Sequence, residues 1–268
     1  LAVLPREDKA MHIATETHAP LPVRLRTITL DHPWRWLSAG WLDMCTVPGI
    51  SYFYGGLFTA IGFVLLFVLD QFEAAYLILP LAFGFALVGP VAAVGLYEIS
   101  RRLTVGQSAE FGDVLRVIGR NGSQIALVGL FLLIAFLAWV RLAMLEFMLF
   151  FGASPPSLDH VLDAILLSPQ SMPFLIVGTV TGGALALTVY AMTAIAIPML
   201  IDRPECDAMT AMLTSLDAVR HNLRPMLLWA GLIAFFTLFG LSLFFVGLIV
   251  TLPLVGHASW HAYRDLVE

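Results

Sequence analysis

Apolar residues gather along this chain in long runs separated by short polar stretches. Four runs are clear, at residues 50–69, 75–97, 124–151 and 173–201, the second interrupted by Pro80 and Pro90. Each reaches the ~18 to 20 residues that a helix needs to cross a hydrocarbon core. A fifth stretch, 226–263, is too long for one crossing. As a single helix it would extend about 57 Å at ~1.5 Å per residue, against a core ~30 Å thick. Two passes fit better, with a reversal near 244–247 and Pro253 inside the sixth helix. The alternative is one tilted helix that runs on past the membrane.

Three polar stretches carry their own helical period. Residues 31–46 place Trp34, Leu37, Trp41 and Met44 on one stripe, with Asp31 as N-cap and Pro33 in the first turn. Residues 108–120 align Phe111, Val114, Leu115 and Ile118 opposite Glu110, Asp113 and Arg120. Residues 202–222 start with a capping-box-like Asp202 and Glu205, then stripe Met209, Met212, Leu213, Leu216 and Val219. Apolar stripes opposite charge are the pattern of helices lying in a membrane surface. The expected fold class is therefore an all-α membrane protein. It has six transmembrane helices as three hairpins, each preceded by a cytoplasmic interfacial amphipathic helix. Faint echoes support three similar units: Tyr97, Arg101 and Leu103 follow Pro90 at the offsets at which Trp260, Arg264 and Leu266 follow Pro253. Residues 1–27 are expected to be a flexible tail without the apolar region of a secretory signal, and 28–268 a single domain.

Composition agrees with this pattern. Only 12% of the 268 residues are charged and mean hydropathy is +0.89, against ~25% charged in ordinary soluble domains. The net charge of −5 excludes nothing by itself, because a membrane divides the charges between two compartments. Their distribution is more informative. Under six crossings Arg6, Lys9, Arg24, Arg26, Arg35, Arg101, Arg102, Arg116, Arg120, Arg203, Arg220, Arg224 and Arg264 share one side, while the opposite tips hold Asp70, Glu73, Asp159 and Asp163. Basic residues mark the cytoplasmic face, so both termini are expected in the cytoplasm. Cys45 and Cys206 fall on that reducing side and read as structural free thiols.

Candidate chemistry is sparse. Arg141 and Glu146 interrupt the third run, and charge inside a membrane is a functional candidate by default. Arg141 lies ~25 Å up that helix from Gln124, near the outer boundary, where it can snorkel or pair with Asp159 or Asp163. His257 and His261 share a helix face that Asp265 continues, at a spacing that could ligate a metal or haem. The same segment reads equally as an amphipathic exit from the membrane, with Trp260 and Tyr263 at the headgroups. Glu98, Arg101 and Arg102 read as a charged stop in contact with lipid phosphate. Gly182, Gly183 and Ala186 give the fourth run a small face beside the hydroxyls of Thr179, Thr181, Thr188, Tyr190 and Thr193. No nucleophile elbow, phosphate loop or dense metal motif is present, so no enzyme activity, catalytic residue or cofactor is expected.

Several strings stand together: His32-Pro33-Trp34-Arg35-Trp36 running on to Trp41, Tyr54-Gly55-Gly56-Leu57-Phe58, residues 96–102 from Leu96 to Arg102, and residues 256–266. In these the chain resembles the proteobacterial family of predicted integral membrane proteins called domain of unknown function 2189, over roughly residues 28–266. The resemblance implies a bacterial inner-membrane location and supplies no activity. The expected role is a non-catalytic accessory or scaffold subunit packing against a respiratory or photosynthetic complex. Alternatives are a small permease or lipid-contacting transporter, and a metal- or haem-binding membrane protein. The expected partners are the lipid bilayer and other inner-membrane subunits, with no nucleic acid.

Overall fold

A computed structural model of the protein describes residues 24–72, 74, 77–116, 118–152 and 165–268. The 1–23 part of the expected tail, Glu73, Asp159 and Asp163 lie outside the described residues, as do the side chains of Leu115, Ile118 and Arg120. The named helices are α1 (His32–Thr46), α2 (Pro48–Gln71), α3 (Ile78–Ala92), α4 (Val94–Thr104), α5 (Phe111–Arg116), α6 (Ile118–Phe151), α7 (Ser171–Thr193), α8 (Ala196–Asp202), α9 (Ala208–His221), α10 (Leu223–Ser242) and α11 (Leu248–Leu266). Among the described residues, five segments are long and apolar enough to cross a membrane: Pro48–Gln71, Pro80–Thr104, Asn121–Phe151, Ser171–Asp202 and Leu223–Ser242.

The last apolar stretch breaks where its length requires. Helix α10 ends at Ser242 and α11 begins at Leu248, with Phe244 and Phe245 between them in the left-handed region at φ 50° and 63°. The two helices then pack on each other. Helix α11 is not among the five apolar segments, and its burial accounts for its more polar composition. It packs against α1, α2, α4, α8 and α10, so its Ser, His and Tyr side chains meet protein instead of lipid.

Short and long helices alternate along the described chain. Helix α1 packs on α11, α5 on α4, and α9 on α7 and α8. The segments Pro80–Thr104 and Ser171–Asp202 bend, at Ala93 after Pro90 and at Ala194–Ile195 before Pro198. Beyond the bends, 94–100 and 196–201 are buried without interruption, and α4, α8 and α11 meet there in the core.

Close approach of α11 to α1 and α2 depends on two glycines. A Cβ at Gly40 would lie 2.6 Å from the Ala258 nitrogen, and one at Gly55 would lie 2.6 Å from the Ile249 Cα. Backbones can approach this closely only where a side chain is missing. The two ends of the described chain also meet. Arg26 N–H donates to the Leu266 carbonyl and Glu268 N–H to the Arg24 carbonyl, both at 3.0 Å, around an antiparallel bridge of Leu25 with Val267. Asn222 joins them, accepting from Ile28 N–H at 2.9 Å and donating to the Arg26 carbonyl at 3.0 Å.

Several local expectations are corrected. Trp34 and Trp41 are exposed as the α1 stripe requires, but Met44 is fully buried, because Trp36, Gly40, Asp43 and Met44 form a second stripe that faces inward. Asp31 stands at the N-cap position without a side-chain cap bond. Helix α9 divides in the same way as α1: Met209 and Leu213 face out, while Met212 and Val219 are buried. Its N-cap is Asp207, not Asp202. The backbone N–H and hydroxyl of Thr210 both donate to Asp207 and hold its carboxyl below the usual range. Asp202 instead ends α8.

Candidate functional site

The most developed polar site joins four helices around His257. Pro48 opens α2 one residue beyond the end of α1, so Asp43 near the end of α1 and Ser51 in the first turn of α2 lie close together. Ser100 comes from the buried part of α4 and His257 from the middle of α11. His257 is fully buried, with Nδ1 2.7 Å from Ser100 Oγ and Nε2 3.0 Å from Ser51 Oγ. Ser100 Oγ donates to Asp43 Oδ2 at 2.6 Å, and His261 Nε2 reaches the same oxygen at 2.9 Å. A hydroxyl has a single proton. With the Ser100 proton directed at Asp43, Nδ1 of His257 is the donor to Ser100 and Nε2 accepts from Ser51. The Val47 carbonyl, 3.0 Å from Ser51 Oγ, is the competing acceptor.

The same face of α11 continues toward its C-terminus. Asp265 Oδ2 accepts from Trp36 Nε1 at 2.7 Å, and Trp36 packs edge-on against Trp229 with ring centroids 5.5 Å apart. Asp202 accepts from Tyr263 hydroxyl at 2.8 Å and lies 3.3 Å from Arg264. Trp260 and Tyr263 are almost fully buried, with Trp260 Nε1 donating to Thr104 Oγ1 at 3.1 Å. This corrects their expected place among headgroups: their faces are taken up by α4 and α8.

A second cluster lies at the end of α4. Glu98 is buried and accepts from Arg101 at 2.7 and 2.8 Å and from Arg102 at 3.2 Å. Arg102 also pairs with Asp113 at 2.8 Å, and Arg116 reaches the same Asp113 oxygen at 2.6 Å. Arg101 and Arg102 are thus committed to protein carboxylates, which displaces their expected role as lipid-phosphate contacts. Asp113 is buried where a water-facing position was expected. Burial would raise its pKa, but the Glu110 N–H and the two guanidiniums outweigh this and hold the carboxyl below the usual range.

The two charged residues of the third run separate. Arg141 is exposed and has no ion-pair partner among the described residues. Glu146 is buried against α7, where the Thr181 hydroxyl bonds to its Oε1 and Gly178 leaves room beside Oε2. The other α7 hydroxyls turn elsewhere. Thr188 and Thr193 bond to carbonyls of their own helix and Tyr190 to the Met226 carbonyl at 2.8 Å. On its small face, Gly182 accommodates the Trp139 ring.

Among the described residues, no group of three or more His, Cys, Asp or Glu side chains is placed to hold a metal ion. Both ring nitrogens of His257 are already in hydrogen bonds. Cys45 and Cys206 are free thiols, and burial, followed by the nearby Asp207 and Glu205, pushes the Cys206 thiol up to about 11. Sequence reasoning identified His257 and His261 but missed Asp43, Ser51 and Ser100. The available signal was Asp43 itself, a charge on the Trp36–Gly40 stripe of α1.

No curated protein and no solved structure matches this chain. Among the described residues, five membrane-length apolar segments, with buried polar clusters beside otherwise lipid-compatible surfaces, describe a multi-pass integral membrane protein. Its residues 78–202, from α3 to the end of α8, match the family described as predicted integral membrane protein (DUF2189).

Proposed function

We propose that the protein is a non-catalytic accessory or scaffold subunit of the bacterial inner membrane, packing against a respiratory or photosynthetic complex. It crosses six times, as three hairpins with interfacial helices, and keeps both termini in the cytoplasm. The pairing of residues 24–26 with 266–268 supports the even count. Five crossings between residues 48 and 242 would separate these ends, so α11 makes the return. The basic residues of α4, α5 and the chain ends then lie on the cytoplasmic side.

The observation that carries the accessory reading is how the polar side chains are used. His257, Ser51, Ser100 and Asp43 bond one another, and Glu98 and Asp113 bond arginines. Such closed networks fix helix positions and offer no reacting group to a substrate. The outward faces carry exposed Trp34, Trp41, Leu213 and Phe235 for lipid or neighbouring subunits.

Purification from native membranes in mild detergent, with mass spectrometry of co-eluting proteins, tests this reading. A stoichiometric partner subunit is the expected result. A lone protein or homo-oligomer would contradict it and favour the second reading, a small permease or lipid-contacting transporter. That reading is motivated by Glu146, a buried carboxyl on an apolar helix.

A further inference from the structure

Helices α6 and α7 enclose a carboxyl that no ion pair explains. Glu146 is buried between membrane-length helices, and its hydrogen-bond partner among the described residues is the Thr181 hydroxyl. No charged side chain of the helices beside it is available: α3 carries none between Ile78 and Ala92, and α7 none between Ser171 and Thr193. Arg141 lies on the exposed side of α6 itself. The charged residues of α5, α8 and α9 pack at the opposite end of α6, where Asn121 bonds the Leu200 and Cys206 carbonyls and Gln124 the Ala208 N–H. Apolar rings close the site on two sides. Trp139 sits in the notch left by Gly182, and Phe147 and Phe151 pack edge-on against Phe174 with ring centroids 6.4 and 5.3 Å away.

Hydroxyl geometry then sets the charge. Thr181 Oγ1 lies 2.9 Å from the Val177 carbonyl and within bonding distance of Glu146 Oε1. It has one proton to give. On the same helix Thr188 and Thr193 give theirs to the carbonyl four residues earlier, Ala184 and Val189, each at 2.8 Å. With Thr181 doing likewise toward Val177, its oxygen accepts from Glu146, and a carboxyl donates only as the acid. An ionised carboxylate in this place would be stripped of water with no cation beside it, the arrangement that membrane interiors disfavour most.

We propose that Glu146 is a membrane-embedded proton-binding site, whose carboxylic acid donates to Thr181. Binding is reversible because Thr181 serves both states. When the Glu146 O–H bond breaks and the proton passes to water, the Thr181 hydroxyl turns from the Val177 carbonyl to the carboxylate. The contact between α6 and α7 is kept and no backbone moves. Oε2 is the open side of the carboxyl, since Gly178 beside it has no side chain and a Cβ there would come to 3.4 Å. The site requires only that α6 and α7 span the membrane. It holds for a scaffold as for a permease, because a bound proton alone moves no substrate.

Infrared difference spectroscopy of the full-length protein in phosphatidylcholine vesicles at neutral pH reads this charge directly. Subtracting the Glu146→Gln spectrum from that of the unsubstituted protein should leave the C=O stretch of a carboxylic acid, because the water-facing carboxylates cancel. Exchange into D2O should lower the frequency of that band, as an exchangeable proton requires. Thr181→Val removes the hydroxyl that accepts from the acid and should move the same band to higher frequency. It also reads the same carboxyl if Glu146→Gln fails to fold. A carboxylate band in place of the acid band, in the difference from either variant, would overturn the proposal. So would an acid band that stays unshifted after prolonged exchange into D2O, since the proton would then be fixed in place.

Discussion

Glu98→Ala is expected to destabilise the protein by ~3–5 kcal/mol, the range for removing one partner of a buried ion pair. Its carboxylate accepts from Arg101 and Arg102, whose guanidiniums lie at the cytoplasmic end of the proposed second crossing. Without it, Arg101 loses its paired carboxylate and Arg102 keeps only Asp113, so positive charge remains beside the α4–α8–α11 core with only part of its hydration restored. The arginine side chains keep 15% and 22% exposure, so the lower half of the range applies. Glu98→Gln retains the shape and loses the charge, and should have a smaller effect. Thermal unfolding in detergent and chemical denaturation of the variants check the order. A loss below about 1 kcal/mol for Glu98→Ala, the level of a surface pair, would contradict the assignment.

Asp43→Ala is expected to loosen α1 from the rest of the molecule. It removes the acceptor that serves both Ser100 and His261. A buried donor left unpaired costs ~1–3 kcal/mol, so a total of about 3 kcal/mol is expected. Asp43→Asn keeps one acceptor oxygen and should cost less. The loss should also be local, because the Asp43 side chain ties α1 to Ser100 of α4 and His261 of α11. Hydrogen exchange is therefore expected to accelerate at residues 32–46 while α6 and α7 keep their protection. Uniform acceleration throughout would show that the network stabilises the whole fold instead of anchoring α1.

The membrane class and most helix positions were legible because apolar runs of membrane length leave few alternatives. The break expected near 244–247 followed from the length of the last apolar run and from the side on which Arg264 would otherwise fall. Faces were harder to read. In α1 and α9, apolar residues occur on both inward and outward sides, so Met44 counted toward a stripe with exposed Trp34 and Trp41, and Met212 and Val219 toward one with exposed Met209 and Leu213. A hydrophobic stripe in a membrane protein does not reveal whether lipid or protein covers it, since both are apolar.

Position in the core was also hidden in α11. Its Trp260 and Tyr263 match an interfacial belt in composition, and only the fold brings α4 and α8 against them. The His257 site was half legible. The spacing from His257 to His261 is local, whereas Asp43, Ser51 and Ser100 come from far earlier in the chain and no periodicity joins them. Glu146 was recognised as unusual, but its Thr181 partner depends on how α6 meets α7. Of the strings behind the family resemblance, only residues 96–102 fall inside the matched region 78–202. The others belong to α1, α2 and α11, three helices that pack together.

The six proposed crossings return both ends of the chain to the cytoplasm. Single cysteines introduced as Asp70→Cys, Arg116→Cys and Glu268→Cys, in a background carrying Cys45→Ser and Cys206→Ser, test it with a membrane-impermeant maleimide on intact cells. Asp70→Cys is expected to label from outside, while Arg116→Cys and Glu268→Cys label only after permeabilisation. Labelling of Glu268→Cys in intact cells, to the same extent as Asp70→Cys, would contradict it.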